Sequence, residues 1–182
     1  MKPTFLLFAL LLSTASFAQD LAGRKIINGN VNLQLTDNEV YANTTYSLSL
    51  LAGKIKPNLS YLAWGASFSG NHAKNLDDKT AYYSIGPAVE YGKFIPLVDR
   101  FYLAPTIGGT VRGTFGDMEG FGANVYATPL RFMYHFGQNF MLTGSFGAAS
   151  ASFSKLGKIT NAGINASLNN QTSFGVYYTF KK

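Results

Sequence analysis

The chain has 182 residues, a formal net charge of +6 and no cysteine; 47% of its residues are hydrophobic and 15% aromatic, but only 13% are charged. This length suits one domain, and the lack of cysteine excludes the disulfide framework on which many small secreted domains depend. After residue 12, no apolar run approaches the roughly 20 residues that a membrane-spanning helix needs. The apolar residues must therefore be segregated by alternation along strands.

The first 18 residues are typical of a cleaved secretory signal. Lys2 supplies a positive start, Phe5 to Leu12 form an uninterrupted apolar run, and Ser16-Phe17-Ala18 is a small-x-small cleavage site. The run is too short to span a membrane as a helix. We predict that residues 1–18 are removed on export and that residues 19–182 form a single domain.

The rest of the chain alternates polar with apolar residues, which is the period of a β-strand. In the first such segment, Val31, Leu33 and Leu35 share one face, and the residues between them are polar. Clusters rich in glycine, proline and asparagine separate the segments. The pattern predicts eight strands, near residues 26–35, 44–55, 60–69, 80–94, 101–112, 123–136, 140–153 and 162–180.

The predicted connections alternate in kind. The second, fourth and sixth are short, whereas the others are longer and contain acidic residues, namely Asp37, Glu39, Asp77, Asp78, Asp117 and Glu119. Short turns at one end and long polar loops at the other are typical of outer-membrane barrels, which have even strand numbers from eight upward. We therefore predict an all-β fold, an eight-stranded antiparallel transmembrane up-and-down β-barrel, with both termini on the periplasmic side.

Charged residues within the predicted strands face away from the apolar stripe. They are Glu90, Arg112 and Arg131. A charge that faces lipid near the bilayer midplane costs about 2–4 kcal/mol, whereas a barrel interior offers polar neighbours. Because Glu90 and Arg131 are about equally far from the short turns, we expect them to pair across the lumen. Arg112 should lie above them in the same charge network.

Aromatic residues gather toward the ends of the predicted strands, as in the girdles of membrane barrels. They are Trp64, Phe68, Tyr82, Tyr83, Tyr91, Phe94, Phe101, Tyr126, Phe132, Tyr134, Phe136 and Phe140. Alternating aromatic residues also fill the cores of soluble barrels, so this pattern alone leaves both arrangements open. Pro87, Pro105 and Pro129 conflict with uninterrupted strands, since proline cannot donate to the ladder, and we predict β-bulges there.

The chain ends with the segment Ser173-Phe-Gly-Val-Tyr-Tyr-Thr-Phe180, followed by two lysines. This segment matches the polar-x-Gly-x-x-aromatic-x-aromatic pattern of the C-terminal signal that outer-membrane insertion machinery recognises. The matching residues are Ser173, Gly175, Tyr178 and Phe180.

With this ending and the stretches from Leu50 to Gly65 and from Ile85 to Phe94, the chain resembles the small eight-stranded outer-membrane β-barrel proteins of the Bacteroidetes. The resemblance covers nearly all of residues 19–182. It implies export to the bacterial outer membrane, insertion by the barrel-assembly machinery, and contact with outer-membrane lipids and lipopolysaccharide. It implies little about activity, since one fold serves many functions.

We predict a protein with a structural, anchoring or surface-binding role that is not an enzyme. One alternative is a lipid-modifying acyl hydrolase or transferase, in which Ser67 or Ser69 would act with His72 and with Asp77 or Asp78. Another is a narrow, porin-like pore. Eight strands leave a lumen that side chains fill, and we expect Leu51, Tyr102 and Met133 to occupy it.

We expect no cofactor, because no metal-ligand cluster or phosphate-binding loop is recognisable in the sequence. The basic residues are scattered, which favours contact with lipid headgroups over nucleic acid. The acidic loops could bind divalent ions that bridge lipopolysaccharide. The sequence does not identify a ligand for these loops.

Overall fold

The computed structural model describes residues 21–37, 41–75, 78–136, 138–167 and 173–181. These residues are all-β: thirteen antiparallel strands form one sheet, which is curled like the wall of a barrel, and they include no helix. Accordingly, no helix in this part of the chain has the length and apolar character that crossing a membrane would require. The predicted all-β antiparallel fold is confirmed. The predicted signal, residues 1–18, lies outside the described residues.

The strands are numbered in chain order. They are β1 (Lys25–Asp37), β2 (Tyr41–Ile55), β3 (Ser60–Asn75), β4 (Asp78–Lys93), β5 (Ile95–Val98), β6 (Phe101–Leu103), β7 (Thr106–Gly116), β8 (Gly120–Thr128), β9 (Leu130–Phe136), β10 (Phe140–Phe146), β11 (Ala148–Leu156), β12 (Ile159–Ser167) and β13 (Ser173–Phe180).

Each of the first three predicted strands corresponds to one observed strand, and each of the other five to two, although β5 begins only after the predicted end of the fourth strand at residue 94. Four of the breaks fall at residue 94, residues 104–105, residue 129 and residue 147. The fifth separates β12 from β13, at residues outside the described part of the chain.

Several strands extend further than predicted. β3 continues to Asn75 and β4 begins at Asp78, so most of a predicted loop belongs to the ladder. The predicted contrast between long and short connections is therefore wrong for the connections whose residues are all described. Residues 117–119 and 157–158 connect strands at one end, and residues 56–59 at the other. The polar residues beyond the apolar stripe do not end these strands, because their backbone groups continue to pair in the ladder.

The three prolines are accommodated in two ways. Pro105 and Pro129 lie in breaks between strands. Pro87 lies within β4 and pairs with Ala66 of β3. On its other side, the pairing of β4 with β7 is interrupted at Gly86 and Pro87 and resumes in the same register. The bulge predicted at Pro87 is wrong, because the missing N–H removes rungs of the ladder without shifting the register.

Pairing continues across most of the breaks. The β4–β7 and β5–β6 ladders share one register on both sides of Phe94, until a shift after Pro96. The β8–β11 and β9–β10 ladders also share one register, on both sides of Pro129 and Gly147. β1 pairs with β2 along its whole length and with β13 from Lys25 to Gly29. The first and last strands are therefore neighbours in the sheet.

Over most of the sheet, one face, the inner face, is buried or half-buried, and the other, the outer face, is exposed and largely apolar. In β12 the described side chains of both faces are exposed. The hydrophobic core lies against the inner face, at the end formed by residues 21–24 and the turn 56–59. It includes Leu21, Ile26, Leu51, Ile55, Phe94, Tyr102, Ala104, Met133 and Met141. Residues 21–24 close this end through two backbone hydrogen bonds, each 2.9 Å long, from Gly23 to Ile55 and from Ile55 to Arg24.

Candidate functional site

The carboxylate of Glu90 is the centre of a buried polar network. This residue occupies an inner position on β4 and is only 2% exposed. Its Oε1 accepts hydrogen bonds from the hydroxyls of Tyr61, at 2.7 Å, and Tyr177, at 2.9 Å. Its Oε2 accepts from the Tyr126 hydroxyl at 3.2 Å and from the Arg131 guanidinium at 3.1 Å. The buried charge is tolerable because it is both paired and hydrogen-bonded.

The network also joins strands from both ends of the chain. Asn28 of β1 donates to the Tyr177 hydroxyl of β13 at 2.9 Å, and its Nδ2 lies 3.4 Å from Oε1 of Glu90. Arg131 donates to the same Tyr177 hydroxyl. The members of the network come from β1, β3, β4, β8, β9 and β13. The network, which we call the Glu90 network, therefore braces the interior from several sides.

Of the three predicted lumen charges, the structure brings two together. Glu90 and Arg131 form an ion pair at 3.1 Å. Arg112 lies apart from them and donates a hydrogen bond to Ser69 at 3.2 Å. Glu90 pairs with Gly108 of β7, and Arg112 is four residues further along that strand, or about 13 Å at the usual rise per residue. Arg112 thus lies above the ion pair, as expected, and its described hydrogen bond is to Ser69 rather than to Glu90 or Arg131.

The sequence did not identify the tyrosines of the network. Tyr61 and Tyr177 occupy positions that alternate with outward apolar residues, so their parity was an available indication. Tyr126 was predicted to lie in an aromatic girdle, but even-numbered residues face inward in β8 and outward in β9. The change occurs at Pro129. Three predicted girdle residues face inward in the structure, namely Tyr82, Phe94 and Tyr126.

A polar cavity of about 430 Å³ lies beyond the Glu90 network, toward turns 117–119 and 157–158. Hydroxyl and amide side chains form much of its wall, among them Thr45, Ser69, Asn71, Ser84, Thr114 and Asn124. Arg112 is the only charged residue among the described residues that line it. Along the inner face the chain thus places an apolar layer, the Glu90 network and this polar cavity in succession.

The structure separates the residues of the predicted serine–histidine–acid grouping. His72 lies on the outer face of β3, where its ring stacks on Tyr46 with centroids 5.9 Å apart. Ser67 and Ser69 belong to the opposite, inner face of the same strand. The side chains of the two candidate acids are outside the described residues. The alternation of a strand therefore keeps His72 away from both serines.

The predicted insertion signal lies in β13. Tyr178 and Phe180 are on the outer face, with ring centroids 5.7 Å apart, and the Tyr178 ring lies 5.2 Å from that of Phe140. Ser173 and Gly175 are in the first half of the strand, which pairs with β10. The two aromatic residues of the signal thus belong to a cluster on the outer face.

Asp117, one of the acidic residues of the predicted loops, lies in the turn between β7 and β8. The Asp117 carboxylate accepts a hydrogen bond from the backbone N–H of Ala81 at 2.7 Å, so it holds a strand end in place. Among the described residues, no group of three or more histidine, cysteine, aspartate or glutamate side chains is arranged to hold a metal ion.

No protein-family model matches the chain, and no curated protein matches it significantly. The function proposed below therefore depends on the residues and geometry of this chain.

Proposed function

We propose that the chain is an integral outer-membrane β-barrel protein with a structural, anchoring or surface-binding role and a lumen filled by side chains. The observation that carries the proposal is an inverted polarity. Trp64 is 73% exposed and Ile164 is 89% exposed, whereas Glu90 is 2% exposed. Water-soluble proteins bury large apolar side chains and expose most carboxylates. A membrane barrel turns apolar residues out to lipid and polar ones inward.

We further propose that the thirteen strands are segments of eight long strands that close into a barrel. Two observations support this proposal. The ladders keep a common register across the break between β4 and β5 and, on the side of β10 and β11, across the break between β8 and β9. In addition, β1 pairs with β2 on one side and β13 on the other. Closure matters in a bilayer, because each unpaired backbone polar group there costs several kcal/mol.

Aromatic residues on the outer face support two interfacial girdles. Near one end of the sheet, Tyr46, Phe68, Tyr83 and Phe115 follow one another across four strands, with successive ring centroids 6.1, 6.3 and 5.8 Å apart. A second group lies at the other end and includes Phe136, Phe140, Tyr178 and Phe180. Aromatic rings favour membrane interfaces because they combine an apolar body with a polar or polarisable edge.

The two alternative functions have less support. The apolar layer and the Glu90 network fill the lumen at the end near residues 21–24, which disfavours free diffusion of solutes through a pore. A lipid-modifying enzyme of the serine–histidine–acid type is disfavoured because His72 and Ser67 face opposite sides of β3.

The first test is the location and solubility of the whole chain, expressed with its N-terminal segment in a Gram-negative host. We expect the protein in the outer-membrane fraction, where only detergent should release it. The purified protein should migrate faster on a denaturing gel before boiling than after, as folded barrels do. Recovery as a water-soluble monomer would contradict the proposal.

A matched pair of variants tests the lipid-facing wall directly. Val125 and Val98 are 54% and 51% exposed, but Val125 lies within β8 and Val98 is the last residue of β5, beside a turn. In lipid, Val125→Arg should cost about 2–4 kcal/mol of unfolding free energy and Val98→Arg only about 0–1. The measurement is urea unfolding in vesicles. If water covers both sites, the two variants will unfold alike.

A further inference from the structure

The polar cavity has the size of a ligand site. Its volume of about 430 Å³ lies within the range of roughly 300–1,000 Å³ that is usual for small-molecule pockets. Phe153 and Leu156, close to the turn at residues 157–158, belong to its lining, so the cavity extends to that end of the sheet. The Glu90 network lies toward the other end of the inner face. The geometry therefore describes an open polar pocket on the inner face of the sheet.

Arg112 gives this pocket a positive charge. Its one described contact is the hydrogen bond that it donates to Ser69 at 3.2 Å. Within the described ranges it makes no ion pair, and Glu90 is already paired with Arg131. A guanidinium carries five N–H donors in a planar fork that matches the oxygens of a phosphate or carboxylate. Donors of Arg112 thus remain for an anionic ligand.

The neutral polar groups of the wall are held in place by one another. The hydroxyls of Ser84 and Thr114 share a hydrogen bond of 2.8 Å, and Asn71 donates to Thr45 at 2.9 Å. A wall that is already ordered loses little conformational freedom when a ligand binds.

From these features we infer that the cavity binds a small anion with several hydroxyl groups, a phosphorylated or carboxylated sugar, whose acidic group contacts Arg112. Hydroxyl and amide side chains of the wall exchange hydrogen bonds with the sugar hydroxyls, and Tyr82 offers an aromatic ring. Free sugar phosphates and the phosphorylated sugars of lipopolysaccharide share this chemistry. The inference deepens the surface-binding role proposed above and rests on the barrel architecture.

Calorimetric titration of the full chain, purified in detergent, tests the inference. The probes are glucose 6-phosphate and glucuronate, with glucose and inorganic phosphate as comparisons. We expect both acidic sugars to bind more tightly than either comparison. Arg112→Gln should weaken binding at least tenfold, and Arg112→Lys should weaken it less. The matched control is Arg100→Gln, which removes an exposed arginine from a turn at the opposite end and should leave the affinity unchanged.

A competition arm distinguishes the two sources of the ligand. If lipopolysaccharide is the source, its water-soluble phosphorylated core oligosaccharide should displace glucose 6-phosphate and bind more tightly. If the source is a free sugar phosphate, the monosaccharide should bind more tightly. Each variant is first checked for the faster migration of a folded barrel. The inference is overturned if the folded barrel binds neither acidic sugar, or if the Arg112→Gln variant binds them as tightly as the unchanged protein does. Neither result would contradict the proposed function.

Discussion

Glu90 can remain buried because donors from several strands reach its two oxygens. Three tyrosine hydroxyls and one guanidinium lie within 3.2 Å of the carboxylate. A tyrosine suits this position because its ring fills apolar space while its hydroxyl donates a hydrogen bond. The network therefore contributes both packing and charge compensation, and each residue can be tested separately.

Tyr177 and Tyr178 are adjacent residues on opposite faces of β13, so they form a matched pair. Tyr177→Phe removes a hydroxyl that donates to Glu90 and accepts from Asn28, while the ring remains. We expect a loss of about 1–3 kcal/mol in the free energy of unfolding, measured by urea titration of the vesicle-reconstituted protein. Tyr178→Phe should change it by no more than about 0.5 kcal/mol. Equal losses in the two variants would show that the Tyr177 hydroxyl does not stabilise the fold through the Glu90 network.

The ion pair of Glu90 and Arg131 can be tested with a double-mutant cycle. Glu90→Gln leaves the arginine buried without its counter-charge, and Arg131→Met does the same to the carboxylate. Removing one partner of a buried pair costs about 3–5 kcal/mol. The double variant should lose less than the two single variants together, by a coupling of about 0.5–3 kcal/mol. Strictly additive losses in urea unfolding would show that the two charges do not interact.

At the scale of the strand, the sequence predicted the period correctly but assumed that it continues without interruption. Pro129 and Gly147 lie opposite each other, between β8 and β9 and between β10 and β11. The residues that face outward change from odd to even numbers between β8 and β9, and from even to odd numbers between β10 and β11. Tyr126 was misplaced for this reason. The alternation of polar and apolar residues cannot reveal such a change, because the change arises in the backbone, at a proline and a glycine.

Gly147 is the residue whose backbone allows this change in β10–β11. Its φ of 70° is in the left-handed region, where a residue with a Cβ is disfavoured by about 1–2 kcal/mol. We therefore expect Gly147→Ala to lower the free energy of unfolding by about that amount. Gly144→Ala, three residues earlier in β10, is the control, since its new Cβ would meet no heavy atom within 4 Å. There the substitution should be neutral or stabilise by about 0.4–1 kcal/mol. Equal losses in both variants would contradict this explanation.

At the scale of the molecule, the sequence predicted the two faces of the sheet because polarity is a property of single residues. It did not predict the ends of the strands. His72 and its neighbours are polar, yet their backbone groups pair across β2, β3 and β4. It also could not show the register in which β1 pairs with β13, because that pairing joins residues far apart in the sequence.

The neighbourhood of β1 and β13 can be tested with engineered cysteines, because the chain has none of its own. Gly29 pairs with Val176 of β13 on one side and with Leu50 of β2 on the other. Direct partners in an antiparallel ladder have Cα atoms about 4.5–5.5 Å apart, within the range that a disulfide spans. We therefore expect Gly29→Cys to form a disulfide with Val176→Cys as readily as with Leu50→Cys.

The control pair joins Gly29→Cys with Leu142→Cys. Leu142 lies at the same level on the outer face but one strand beyond β13, since Val176 is its partner. Two strand spacings amount to about 10 Å, more than a disulfide can bridge. After oxidation in vesicles and boiling without reductant, the Val176 pair encloses most of the chain in one loop and should migrate faster than the control. If only the Leu50 pair becomes linked, the first and last strands are not neighbours, and the proposed barrel does not close between them.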